Sequence, residues 1–243
     1  MRSTILRQET LKIKKPSAQV LISTLRACIK NGDRLLDESY NLEFLKPPSS
    51  QYFIVMIAQE EFAKAFIFYL IKEGAVPFSV PVLRAVNDHS CKQLVGVMMD
   101  YIIMHWEEVE EMEKLVRKDR ALGDQLPADV RSAMELLRYE KIGRWERPRG
   151  SWPRGSEYET SARRIAEGKK DGRKQDSLYV RVGRDGRVCS TPDTISEEET
   201  RSEFERAGRY KRFIDSLLTE GKPSDDRYAK AMLALRRLFG SGG

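Results

Sequence analysis

Tyr52-Phe53-Ile54-Val55-Met56-Ile57-Ala58-Gln59-Glu60-Glu61-Phe62-Ala63-Lys64-Ala65-Phe66-Ile67-Phe68-Tyr69-Leu70-Ile71 reads as one apolar run, broken only by Gln59, Glu60, Glu61 and Lys64. Its length would suit a membrane span. Three charges at the middle of a span would each cost roughly 2.5–3.5 kcal/mol, however. A helix apolar almost all round, with charges at its centre, instead reads as the central helix of a soluble bundle.

The flanking sequence supplies the rest of such a bundle. Pro16-Ser17 opens a helix to about Leu45, with Leu21, Leu25, Ile29 and Leu36 near helical spacing and Pro47-Pro48 as its stop. The central helix starts near Ser49 or Ser50 and ends at Gly74. A long third helix is expected from about Pro81 to Arg120, on the stripe Leu94, Met98, Tyr101, His105, Val109, Met112 and Val116. The acidic run Glu107 to Glu113 would lie on its outer faces. A fourth helix follows Pro127, from Ala128 to about Gly143, with Val130, Met134 and Leu137 inward.

Residues 144–176 break the pattern and read as a long loop with one short helical turn around Ser161 to Glu167. Leu178 to Ser190 alternates around Gly183-Arg184-Asp185-Gly186, a hairpin signal. Ser196-Glu197-Glu198-Glu199 is a capping box that opens a helix to about Glu220, with Phe204, Ala207, Phe213 and Leu217 as its apolar face. Pro223-Ser224-Asp225 starts a last helix, ending near Phe239.

The expected fold is therefore all-α: a bundle of long antiparallel helices with a small β-hairpin near 178–190 and C-terminal helices. Four regions are expected. Residues 1–143 form the bundle core, and 144–177 a basic loop segment. Residues 178–239 form the hairpin and two helices packed on the bundle, and 240–243 a flexible tail.

The three cysteines, Cys28, Cys91 and Cys189, are far apart, and no CxxC pair occurs. That usage suits a reducing cytoplasm and points to neither a zinc knuckle nor a redox motif. With two histidines in all, no metal site is indicated and no cofactor is expected. The basic Met1 to Lys15 stretch lacks the apolar run of a signal peptide, so a cytoplasmic protein with no membrane association is expected.

The net charge of +6 is concentrated. Residues 138–187 hold 15 Lys/Arg against 8 Asp/Glu, a net of +7, while residues 1–137 sum to −1 and 188–243 to zero. Such a block commonly meets nucleic acid, an acidic protein or an anionic surface. Trp145 and Trp152 lie among Arg144, Arg147, Arg149 and Arg154, a pattern that suits single-stranded RNA. A solvated loop whose tryptophans fold back on the bundle is the plainer reading.

Two constellations could carry chemistry. Glu61 and Lys64, three apart, share a face of the central helix with Ile54, Ile57 and Phe68, and Glu60 adjoins them. Charges on such a face need partners, either as a register-fixing ion pair or as part of a site. In the second, Arg84 precedes His89 by five positions and Lys92 follows it by three. The histidine could act as general base toward a ribose hydroxyl, and Arg84 could hold a phosphorane's charge. An ordinary helix start capped by Asn87 or Asp88 would explain the same residues. His105 reads as a core histidine.

Taken in order, Ala58-x-Glu60-Glu61-x-x-Lys64-Ala65, His89-x-x-Lys92, and Leu178-Tyr179-Val180 followed by Pro192 and an acidic helix start resemble the AbiV family of abortive-infection proteins. The resemblance covers about residues 20 to 215 and is strongest over 52–105. It implies a bacterial HEPN-type helical bundle and phage defence through shutdown of host processes, translation foremost. It further implies a homodimer and metal-independent RNA cleavage through an Arg-x4–6-His motif. Arg84-x4-His89 has that spacing, with Glu60, Glu61, Lys64 and Lys92 around it. Ala85 departs from the polar residue usual after the arginine in active members. A phage-encoded or host protein bound by occupancy is the alternative target.

The basic segment yields a test of its own. If it binds RNA, affinity should fall with salt at a log–log slope near −0.7 per neutralised phosphate. Replacing Arg144, Arg147, Arg149 and Arg154 with Gln should flatten that slope without lowering the melting temperature. RNA binding absent at low salt, or untouched by these replacements, assigns the segment to a protein partner.

Overall fold

The computed structural model describes residues 13–103, 125–146, 157–219, 221, 223 and 226–240. Helix α1, Ala18–Tyr40, starts where Ser17 accepts a hydrogen bond from the Val20 N–H, satisfying one of the free amides of a first turn. It ends at Tyr40, short of the expected Leu45. The amides of Asn41, Leu42 and Glu43 bond instead to the carbonyls of Glu38, Ser39 and Tyr40 in tighter turns. Helix α2, Ser49–Lys72, is the central helix, and it buries Tyr52, Val55, Phe62, Phe66, Tyr69 and Ile71 around its circumference.

The expected third helix is broken. Helix α3, Val80–Asn87, stops at Asp88, whose backbone is extended (φ −86°, ψ 125°), and helix α4 restarts as His89–Ile103. The Asp88 carboxylate accepts from the Cys91 N–H at 2.9 Å, a side-chain cap that lets the chain turn without losing an amide. His89 is therefore a helix-start residue. Leu94, Met98 and Tyr101 are buried as their stripe implied. Its remainder, His105, Val109, Met112 and Val116, lies outside the described residues, as does the acidic run.

Helix α5, Ala128–Glu135, continues through a π-helical stretch, Leu136–Ile142, into α6, Gly143–Glu146. The wider π turn brings Leu136, Leu137, Arg138 and Ile142 all to the inside. Residues 157–176 are not a loop with a single turn. They form α7, Thr160–Ala166, and α8, Lys169–Asp176. The hairpin is present as antiparallel β1, Arg181–Val182, and β2, Val188–Ser190, with Gly186 at φ 79° in the connecting turn, a conformation that favours glycine. In α9, Glu197–Thr219, the Ser196 hydroxyl accepts from the Glu199 N–H as the capping box requires. Helix α10 is Asp226–Gly240.

One hydrophobic cluster runs from Leu21 to Leu235, with α2 packed against α1, α4 and α9. Each fully buried Leu, Ile, Val or Phe in it contributes about 1.5–3 kcal/mol. A bond between the Tyr69 and Tyr228 hydroxyls, 2.9 Å long, ties α10 to α2. No helix among the described residues is long and apolar enough to cross a membrane.

Helix α1 packs tightly on α2 at Gly32, where a Cβ would stand 2.6 Å from the Phe62 ring. Gly32→Val should cost about 1–3 kcal/mol in chemical denaturation through overpacking, with partial recovery in Gly32→Val/Phe62→Leu. Gly172→Ala, where nothing lies within 4 Å, is the control and should be neutral or mildly stabilising.

Candidate functional site

Glu60 projects from α2 and is 3% exposed. A buried carboxylate without partners would be prohibitive, and two helices supply them. Lys92, one turn into α4, reaches Oε2 at 2.9 Å. Lys174, on α8, reaches Oε1 at 2.7 Å. His89, at the start of α4, brings Nδ1 to 2.5 Å from Oε2. Gln93 stands 3.4 Å from Oε1. Burial alone would raise the Glu60 pKa, but Lys92 and Lys174 outweigh it and hold the carboxyl below its ordinary 4.5.

The ionised state fixes the histidine's chemistry. Nδ1 has two neighbours, Glu60 Oε2 at 2.5 Å and the Lys174 ammonium at 3.0 Å. A carboxylate only accepts, and two lone pairs cannot face each other at the shorter distance, so Nδ1 carries its proton toward Glu60. In the neutral ring Nε2 is then the unprotonated nitrogen, on the far edge of a ring whose side chain is 48% exposed, and no partner of Nε2 is recorded among the described residues. An imidazole oriented by a carboxylate through one nitrogen presents the other as a base.

Of the remaining sequence candidates, Glu61 and Lys64 pair with each other at 2.5 Å. Neither is recorded bonding to Glu60 or His89. Their charges are felt instead at Cys28 on α1, where burial chiefly, then Glu61, pushes the thiol up to about 11. Arg84 is exposed on α3 with no partner among the described residues. Arg144 is exposed and paired with Glu140. Trp145 is partly buried and packs on the core from helix α6. Arg147, Arg149, Trp152 and Arg154 lie outside the described residues.

Sequence reasoning missed Lys174 and Asp171. Helix α8, Lys-Lys-Asp-Gly-Arg-Lys-Gln-Asp, has no apolar face, so its periodicity is carried by cations. Lys170, Arg173 and Lys174 stand at i, i+3 and i+4, the spacing of one helical face, and each meets a carboxylate of another helix. Lys170 faces Glu203 at 3.7 Å, Arg173 grips Glu199 at 2.6 Å, and Lys174 takes Glu60. The basic segment is thus docked over residues 157–176, contrary to a mobile loop. Arg138, counted in the same block, is buried between Glu146 and the Leu238 carbonyl.

Beside Glu60 lies a polar cavity of about 120 Å³, lined by Gln59, Lys92, Gln93, Lys170 and Arg206 among others. Arg206 holds Glu203 at 2.9 Å, and the Tyr210 hydroxyl donates to the Gly96 carbonyl at 2.9 Å. Glu60, His89 and Asp171 have ligand-type atoms within 4.8 Å of one another, among the described residues.

The described residues form an all-α bundle with buried Glu60, Lys92 and Lys174 at its centre and a half-exposed His89 beside them, an architecture that suits a HEPN-type helical bundle. The family model described as AbiV matches residues 20–212, and the chain belongs to that family. Membership ties it to abortive infection, a form of phage defence. No curated protein and no solved structure matches it.

Glu60→Gln removes the counter-charge recorded for buried Lys92 and leaves buried Lys174 with Asp171 alone. It should cost about 3–5 kcal/mol at neutral pH. Because the folded-state pKa of Glu60 is lowered, wild type keeps this advantage above the ordinary 4.5 and loses it as pH falls through the folded value. Urea melts should therefore show a gap between wild type and Glu60→Gln that closes in acid. A gap of constant size would contradict the assignment.

Proposed function

We propose that this protein is a phage-defence effector that arrests the infected cell by metal-independent cleavage of RNA, so that translation stops. One observation carries the reading: the Glu60 carboxylate holds His89 by Nδ1 and leaves Nε2 free on a half-exposed ring. In the proposed reaction Nε2 takes the proton of a ribose 2′-hydroxyl. The 2′-oxygen attacks the adjacent phosphorus, the bond to the 5′-oxygen breaks, and that oxygen leaves with a proton from solvent. Arg84, exposed and five residues before His89, holds the charge that builds on the non-bridging oxygens. Glu60 is a positioning residue, with Lys92 balancing its charge. A homodimer, with the two Arg84–His89 motifs facing each other, and a cytoplasmic location complete the proposal.

A second reading, a binding protein acting by occupancy of a phage-encoded or host protein, is favoured by a different observation. Tyr179, Val180, Val182 and Val188 are all more than half exposed along the hairpin, and clustered exposed apolar side chains often mark interaction sites.

Purified protein incubated with total RNA and tRNA, with and without EDTA, separates the two. Cleavage should leave 2′,3′-cyclic phosphate ends, persist in EDTA, and vanish in His89→Ala and Arg84→Ala while both variants stay folded. Cell arrest at wild-type level by both variants would assign the activity to occupancy.

A further inference from the structure

Lys174 stands against two groups besides Glu60, the Asp171 carboxylate and the His89 ring. Its ammonium stands 2.7 Å from Glu60 Oε1, 2.8 Å from Asp171 Oδ1 and 3.0 Å from His89 Nδ1, and its side chain is only 4% exposed. A carboxylate from α2, an imidazole from α4 and a carboxylate from α8 thus converge on one point, and a cation occupies it. These are the ligand types of a divalent metal site: two hard oxygens and an imidazole nitrogen. Lys92, on the other side of Glu60, bonds to Oε2 and leaves this point to Lys174.

We propose that the Lys174 ammonium is the resident cation of a Glu60–His89–Asp171 site, standing where a divalent metal ion would otherwise bind. The two cations differ in what they do to the imidazole. A metal ion needs the Nδ1 lone pair, so the ring must carry its proton on Nε2, and the outward nitrogen becomes a donor. An ammonium has no use for that lone pair while Nδ1–H donates to Glu60. It neutralises both carboxylates by its charge, with a hydrogen bond to Glu60 and an ion-pair contact to Asp171, and leaves Nε2 of the neutral ring unprotonated. Lys174 is in this sense a positioning residue for His89: it does the electrostatic work of a metal and preserves the outward base. The proposal rests on the reading of His89 as a base, and its test reads the imidazole directly, whether or not RNA is cut.

The chain has only two histidines, His89 and His105, so nitrogen-15 spectra of their rings contain two sets of signals. In the wild-type protein His89 should show a protonated Nδ1 and a bare Nε2 at neutral pH, unchanged by zinc chloride. Lys174→Met removes the ammonium and keeps the stem. Titrated with zinc chloride in a calorimeter, this variant should bind one equivalent that wild type does not bind. The His89 spectrum should switch to a metal-bound Nδ1 and a protonated Nε2. Lys174→Met/Asp171→Asn should lose the zinc, and Lys174→Arg, which keeps a cation, should not gain it. Zinc binding equal in wild type and Lys174→Met overturns the proposal, as does a folded Lys174→Met that binds none. A wild-type His89 protonated on Nε2 alone overturns it without any variant. RNA cleavage lost with these signatures intact would count against the nuclease reading and not against the resident cation.

Discussion

A carboxylate sits in the middle of the central helix of the bundle, and the rest of the structure is arranged to satisfy it. Glu60 could be accommodated only if cations came to it, and they come from two other helices, Lys92 from α4 and Lys174 from α8. Buried ion pairs often return little net stability, because desolvation consumes most of the Coulomb gain. What they enforce is arrangement. A slip of α2 by one residue would bring Glu61 to this position and carry Glu60 about a quarter-turn away. Lys92 would then lose its carboxylate, and Lys174 would keep only Asp171. The same arrangement brings the His89 ring to the carboxylate, so the constraint that sets register also sets the imidazole's protonation.

The uneven charge of the chain follows from the same requirement. Carboxylates on α2 and α9, Glu60, Glu199 and Glu203, face into the molecule and need counter-charges. The segment beyond the π-helical turn supplies Lys170, Arg173 and Lys174 on one face of α8. Much of the +7 is therefore internal complement and not surface potential. Burial would oppose ionisation of Glu203, yet Lys170 and Arg206 hold its carboxyl low. Cations that have no partner among the described residues include Arg84, Arg164 and Lys169, and any contact with a polyanion would draw on such groups.

The sequence made the bundle legible because its signals are apolar and local. The run Tyr52 to Ile71, the stripe through Leu94 and Met98, the capping box at Ser196 and the Asp-Gly turn each report on backbone geometry within a few residues. The break at Asp88 was foreshadowed only as a local cap, since one extended residue does not disturb the hydrophobic period on either side. Helix α8 was illegible for a physical reason. It is held by ion pairs to residues far along the chain, and an apolar period is absent because no apolar face exists. The site was half visible: Glu60, His89 and Lys92 lie on helices that could be read, whereas Lys174 and Asp171 lie on the one that could not. Glu61 and Lys64 shared the motif in sequence yet face α1, because adjacent helical positions point about 100° apart.

The distribution of thiols has a practical consequence. Burial pushes the Cys28 and Cys91 thiols up, which makes both poor nucleophiles. Cys189 alone is exposed, and it lies on β2 among the exposed valines of the hairpin. A thiol-reactive fluorophore added to the native protein would attach at that one place without any engineering. The hairpin, with Tyr179, Val180, Val182 and Val188 all exposed, thus carries its own reporter. Whatever approaches it in an infected cell extract would register as a change in the emission of a singly labelled wild-type chain.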